Sequence, residues 1–208
     1  MGRILPRILD TKVKNILSWE RALAKAVAST ILEFKPPSVW EIMIPILFLF
    51  NFFQYKRARE TFSLNFLFTK KMALEAAFGI IDKGKAKEQA KAEIKEKTDK
   101  ILIADAKGIY SSKIRQKQMR EIDLLIDHYS RLLAADAKDF ASMVKKSYRT
   151  RENYCGFLAQ LSEAEKEVNR AAAQTVRTHS AAEIVSKMEA AVQAFRKAEV
   201  ERIFRLDG

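Results

Sequence analysis

The sequence predicts an all-α fold. Amphipathic and apolar N-terminal helices lead through a charged connector helix into a C-terminal antiparallel helical bundle. Three observations carry this. Prolines stand at positions 6, 36, 37 and 45, and the 163 residues that follow hold none and only five glycines. A proline inside a helix costs about 3 kcal/mol, so its absence permits long helices. Ala, Lys, Glu, Arg and Leu dominate this stretch and are strong helix formers. Large apolar residues recur at steps of three and four, as one face of a helix requires. No Asn-Gly or Asp-Gly pair separates alternating strands; Asp207-Gly208 stands at the last two positions.

Residues 8–34 read as the first amphipathic helix. Ile8, Leu9, Val13, Ile16, Leu17, Leu23, Val27, Ile31 and Leu32 form the apolar face, with Lys12, Lys14, Arg21 and Lys25 between them. Pro36-Pro37 stops it. A second helix is expected over 62–81. Composition changes at Lys83, where KGKAKEQAKAEIKEKTDK has almost no large apolar residue. This reads as an exposed connector helix with favourable Glu93–Lys97 and Glu96–Lys100 pairs. Lys83, Lys87, Lys91 and Lys95 would line one basic stripe on it, more simply a solvated face than an anion site.

Three further helices follow. Ile122, Leu125, Ile126, Tyr129, Leu132, Leu133, Phe140, Val144 and Tyr148 run along one face. Tyr154, Phe157, Leu158, Leu161, Val168 and Ala172 form the next. Ser180-Ala-Ala-Glu183 is a capping box opening the last, which continues through Ile184, Met188, Val192, Phe195 and Ile203. Polar turns near 149–153 and 176–180 make the three antiparallel neighbours. The expected organisation is an apolar, basic-flanked region over 1–81, a connector over 82–117 and a bundle over 118–208. No internal repeat is visible.

Composition narrows the setting. Thirty-eight Lys and Arg against 26 Asp and Glu give a net charge of +12, which favours an anionic partner. The one cysteine, Cys155, rules out an intrachain disulfide and fits a reducing compartment. The opening MGRILPRILD lacks the apolar run of a secretory leader, and Pro6 spoils a myristoylation motif. A cytoplasmic protein, or one on the cytoplasmic side of a membrane, is expected.

The feature that demands a function is the block from Val39 to Phe53. Ile42 to Phe50 is nine residues without a polar side chain, and residues 39–68 hold nine of the twenty aromatics. Burying one such side chain is worth roughly 1.5–3 kcal/mol, so the block must meet lipid, a partner or a core. As a helix it would reach only about 22 Å. A bilayer core is about 30 Å thick. Pro45, Glu41 and Asn51 shorten the usable run further. The expected contact residues are Trp40, Ile44, Phe48, Phe50, Phe52 and Phe53, with Lys56, Arg57 and Arg59 placed to meet lipid headgroups or another anion. The reading is a non-enzymatic accessory or scaffold protein resting on an anionic membrane surface. The alternatives are a soluble subunit that buries the block against an apolar protein partner, and a helical enzyme with an unrecognised site.

Site chemistry is otherwise sparse. No cofactor, metal or catalytic motif is expected. Glycines are isolated, so no phosphate loop forms. His128 beside Asp123 and Asp127 reads as a polar helix face. His179 reads as a solvated turn residue, and Cys155 as a small core residue. Glu163, Glu165 and Glu167 read as surface charge. The Tyr148, Arg149, Arg151 and Tyr154 group reads as an ordinary helix junction. The lysine stripe and the aromatics occupy different segments, which disfavours nucleic acid.

Overall fold

A computed structural model describes residues 4–32, 66–105, 110–176 and 179–205. Among them are seven helices and no strand. These are α1 (Ile4–Leu32), α2 (Phe68–Lys83), α3 (Lys87–Ala104), α4 (Ser112–Ala134), α5 (Phe140–Tyr148), α6 (Arg151–Val176) and α7 (His179–Ile203). The all-α expectation is met.

Three breaks divide what the apolar pattern left continuous or placed loosely. The face from Ile122 to Tyr148 belongs to two helices. Ala135 leaves helical geometry, and Asp139 starts α5 by accepting a hydrogen bond from the Ser142 amide at 2.9 Å. Such a cap is worth about 1 kcal/mol. The α5–α6 turn is made by Arg149, whose φ of 66° is left-handed and whose amide donates to the Lys145 carbonyl at 2.8 Å. Between α2 and α3, Gly84 takes a φ of 63° and the Lys85 amide donates to the Gly79 carbonyl at 3.2 Å. This break puts Lys83 on a different helix from Lys87, Lys91 and Lys95.

The helices run antiparallel where paired residues show it. Along α6 and α7, Ser162 and Glu165 face Arg196, and Asn169 faces Glu189. Along α4 and α6, Arg120 meets Glu167 and Lys113 meets Gln174. Along α3 and α4, Lys91 reaches Asp123 at 2.9 Å and Lys87 reaches Asp127 at 2.7 Å. Two lysines of the stripe are therefore partnered by α4, and α3 buries Ala90, Ile94 and Thr98.

The main core joins α1 and α2 to the later helices. Ile16, Met72, Ala73, Leu125, Tyr129, Leu132, Val144, Tyr154 and Val200 share it. Trp19 of α1 stacks on Phe140 at 4.7 Å and donates to the Glu199 carboxylate at 3.0 Å. Lys12, itself buried, donates to the Leu133 and Ala135 carbonyls at 2.9 and 2.6 Å. It places a cation on the negative end of α4. A second cluster gathers Leu23, Val27 and Ala28 of α1 with Ile184 and Val192 of α7, and Phe66 packs against it.

Two glycines give a paired test of this reading. A Cβ at Gly84 or at Gly156 would meet no atom within 4 Å, so sterics are equal. Gly84→Ala must hold a left-handed φ and is expected to lose about 1–2 kcal/mol. Gly156→Ala lies inside α6 and is expected to gain about 0.5–1 kcal/mol. Urea midpoints of the two variants check the opposite signs.

Candidate functional site

The block residues Trp40, Ile44, Phe48, Phe50, Phe52 and Phe53, and the basic residues Lys56, Arg57 and Arg59, lie outside the described residues. The described bundle contains a site that the sequence reading did not isolate. One charged side chain from each of five helices turns inward: Glu20 of α1, Lys70 of α2, Glu121 of α4, Glu165 of α6 and Arg196 of α7.

Each sits on its helix's apolar face. Glu20 lies between Ile16 and Leu23. Arg196 continues the four-residue steps Ile184, Met188, Val192 and is followed by Val200. Glu165 falls in the series Leu158, Leu161, Val168, Ala172. Once these faces pack, Glu165 keeps 16% of its side-chain surface exposed and the other four charges are buried. Glu20, Lys70 and Arg196 are 2%, 3% and 4% exposed. An unpaired buried charge is strongly unfavourable, so the cluster must neutralise itself.

Glu165 does most of that work. Its two oxygens accept from the Arg196 guanidinium at 2.7 and 2.8 Å, a bidentate pair. Arg196 also donates to the Ser162 hydroxyl at 3.0 Å. Lys70 Nζ lies 3.3 Å from Glu165 and 3.6 Å from Glu20. Tyr129 donates its hydroxyl proton to Glu20 at 2.6 Å. The Lys70 ammonium also rests 5.2 Å from the centre of the Phe66 ring. Beside Lys70, Thr69 accepts from Gln118 at 2.9 Å, and the Gln118 carbonyl accepts from the Tyr110 hydroxyl.

Glu121 stands apart. It is 7% exposed, and no hydrogen bond or ion pair joins it to another described residue. Burial raises its carboxyl, nearby Glu165 raises it further, and Lys70 and Arg196 only partly offset them, leaving it at about 7. For Glu165 burial pushes upward too. There the adjoining Arg196 and Lys70 charges outweigh it and hold the group at about 2. Two carboxyls in one site are thus driven in opposite directions by their partners.

The cluster forms the floor of a cavity of about 90 Å³ between α2, α4, α6 and α7. Its floor carries Lys70, Glu121 and Glu165. Its walls are mostly apolar, from Phe66, Val168, Ala172, Ile184, Met188 and Val192. Lys166 and Glu189 also line it, and Glu189 accepts from Asn169 at 3.2 Å.

Other sequence candidates resolve differently. His128 is buried, stacks on Phe157 at 4.3 Å, and its Nδ1 lies 2.7 Å from the Tyr148 hydroxyl. Burial, with Lys70 and Arg196 nearby, holds it down at about 3, so it is a neutral core ring. Asp123 and Asp127 face the α3 lysines instead. No group of three His, Cys, Asp or Glu among the described residues could hold a metal ion. Cys155 is exposed, against the expectation of a core position, because Tyr154, Phe157 and Leu158 take the inward face of α6. Glu167 pairs with Lys117 and Arg120 at the surface, as expected, whereas Glu165 does not remain there. Tyr148 and Tyr154 pack around His128, and Arg151 pairs with Glu201.

The Glu121 environment sets a pH dependence. A carboxyl raised on folding contributes stability fully below its unfolded range and loses it as pH rises through about 7. His128, lowered on folding, does the reverse and loses stability as pH falls from its ordinary range toward 3. Comparing wild type with Glu121→Gln at each pH cancels the histidine. The variant is expected to match wild type at pH 5 and to exceed it progressively up to pH 8, measured by urea unfolding.

No family model, curated protein or solved structure matches this chain, so its site is read on its own geometry.

Proposed function

We propose that this protein is a helical accessory protein without catalysis of its own. It rests on the cytoplasmic face of a membrane through the 39–53 block and keeps its bundle in water. The observation that carries the reading is the placement of the block's flanks. Val27 and Ala28 near the end of α1 share one cluster with Phe66 just before α2, across Ile184 and Val192 of α7. The bundle therefore grips both sides of residues 33–65 at the same pole. The sequence between these flanks carries the run of nine apolar residues followed by Lys56, Arg57 and Arg59.

Two facts support the reading further. Four of the five inward charges engage one another, with Arg196 on Glu165 and Lys70 between Glu165 and Glu20. Such a body suits a rigid platform. The net charge of +12 favours an anionic surface.

Flotation with vesicles of phosphatidylcholine and phosphatidylserine tests this. The wild-type protein is expected to rise with the vesicles, less so at high salt. The double variant Phe48→Asp, Phe52→Asp is expected to stay below while keeping its helix content and melting temperature. A wild type that remains below defeats the membrane reading. A double variant that unfolds also defeats it and turns attention to an apolar protein partner or a core role for the block.

A further inference from the structure

The cavity over the ion cluster combines features that specify a ligand. Its walls are apolar and its floor holds a buried carboxyl that lacks a partner among the described residues. The space is about 90 Å³. One water needs about 10–15 Å³ on that measure, so an ammonium group with a short chain can be accommodated. A carboxyl without a protein partner has hydrogen-bonding capacity left for water or a ligand. Glu121 is 7% exposed, lines the cavity and makes no hydrogen bond to another described residue.

The charge count says which ligand would satisfy it. Glu20, Glu121 and Glu165 face two fixed cations, Lys70 and Arg196. With Glu121 protonated the cluster is balanced, and with it ionised one negative charge is in excess. Both cations already face carboxylates, and Arg196, whose buried Nε has no hydrogen-bond partner, does not line the cavity. Arg196 is held bidentately by Glu165, and Lys70 sits between Glu165 and Glu20. Lys166 lines the cavity too, but no ion pair joins it to Glu121 among the described residues. A carboxylate ligand would have only Lys166 to receive it, whose charge Glu189 in the same lining offsets, and it would lie against Glu121 and Glu165. A neutral alkyl ligand would gain burial alone.

We propose that this cavity binds a small lipophilic amine, its ammonium on the Glu121 carboxylate and its chain against Val168, Ala172, Ile184, Met188 and Val192. The ammonium supplies the third cation and completes the balance. The chain removes apolar wall from water, worth about 0.8 kcal/mol per methylene. Binding holds Glu121 ionised, so it releases a proton when the free protein carries one there. The proposal does not rest on the 39–53 block, and its test does not involve lipid.

Titration calorimetry of the full chain at pH 8 with n-hexylammonium, n-hexanol and hexanoate tests the proposal. Hexylammonium is expected to bind at least about tenfold more tightly than hexanol, a gap of about 1.4 kcal/mol, with hexanoate weakest. Glu121→Gln is expected to bring hexylammonium down to the level of hexanol. Met188→Trp, which fills the apolar wall, is expected to weaken both. Hexylammonium affinity should rise between pH 5 and pH 8 while that of hexanol stays level, which serves as the readout if Glu121→Gln fails to fold. Equal binding of hexanol and hexylammonium, a preference for hexanoate, or no binding by the folded wild type overturns the proposal.

Discussion

The bidentate contact between Glu165 and Arg196 is the constraint on which the bundle's arrangement turns. It sits where α2, α4, α6 and α7 approach and fixes the register of α6 against α7. A hydrophobic face tolerates some sliding, because one aliphatic side chain packs about as well as its neighbour. A planar fork on a carboxylate does not. Lys70 then ties α2 to α6, and its second contact with Glu20 draws in α1. Removing Glu165 would leave Arg196 buried without its carboxylate, which is the costly case for ions in an interior. The same interaction decides chemistry nearby. By occupying both cations it leaves Glu121 without a hydrogen bond or ion pair to another described residue.

Much of the helical architecture was legible. Steps of three and four placed α1, α6 and α7 within a few residues, since proline and glycine are scarce and the apolar faces are wide. The breaks were harder. The face from Ile122 to Tyr148 keeps its phase across a gap, and only Asp139, acting as a cap, marks the restart of α5. The stripe of four lysines misled in a related way. Its spacing is helical, but Gly84 takes a left-handed turn within it, and two of its members find acids on α4.

The ion cluster was not isolated, although a signal for it existed. Glu20, Glu165 and Arg196 interrupt otherwise apolar series at positions where the helical period points inward. Reading Glu163, Glu165 and Glu167 as a set of surface charges averaged over three different faces. Glu167 does pair at the surface, while Glu165, two residues before it, points the other way. A charge on an apolar face predicts a complementary charge on another such face, and Lys70 and Arg196 are the complements. Which charges meet depends on how the helices cross, and no single helix carries that information. The lone status of Glu121 is a property of the assembled whole.

The contact of Trp19 has a spectroscopic consequence. Its indole stacks on Phe140, meets Phe195 edge-on and donates to Glu199, so its emission senses whether α1 is seated on α5 and α7. The second tryptophan of the chain, Trp40, belongs to the apolar block. The two chromophores therefore divide the molecule between them. Replacing Trp40 with Phe leaves a probe of bundle assembly, and replacing Trp19 with Phe leaves a probe of whatever the block touches. Folding and docking can in this way be watched as separate optical events in one unlabelled protein.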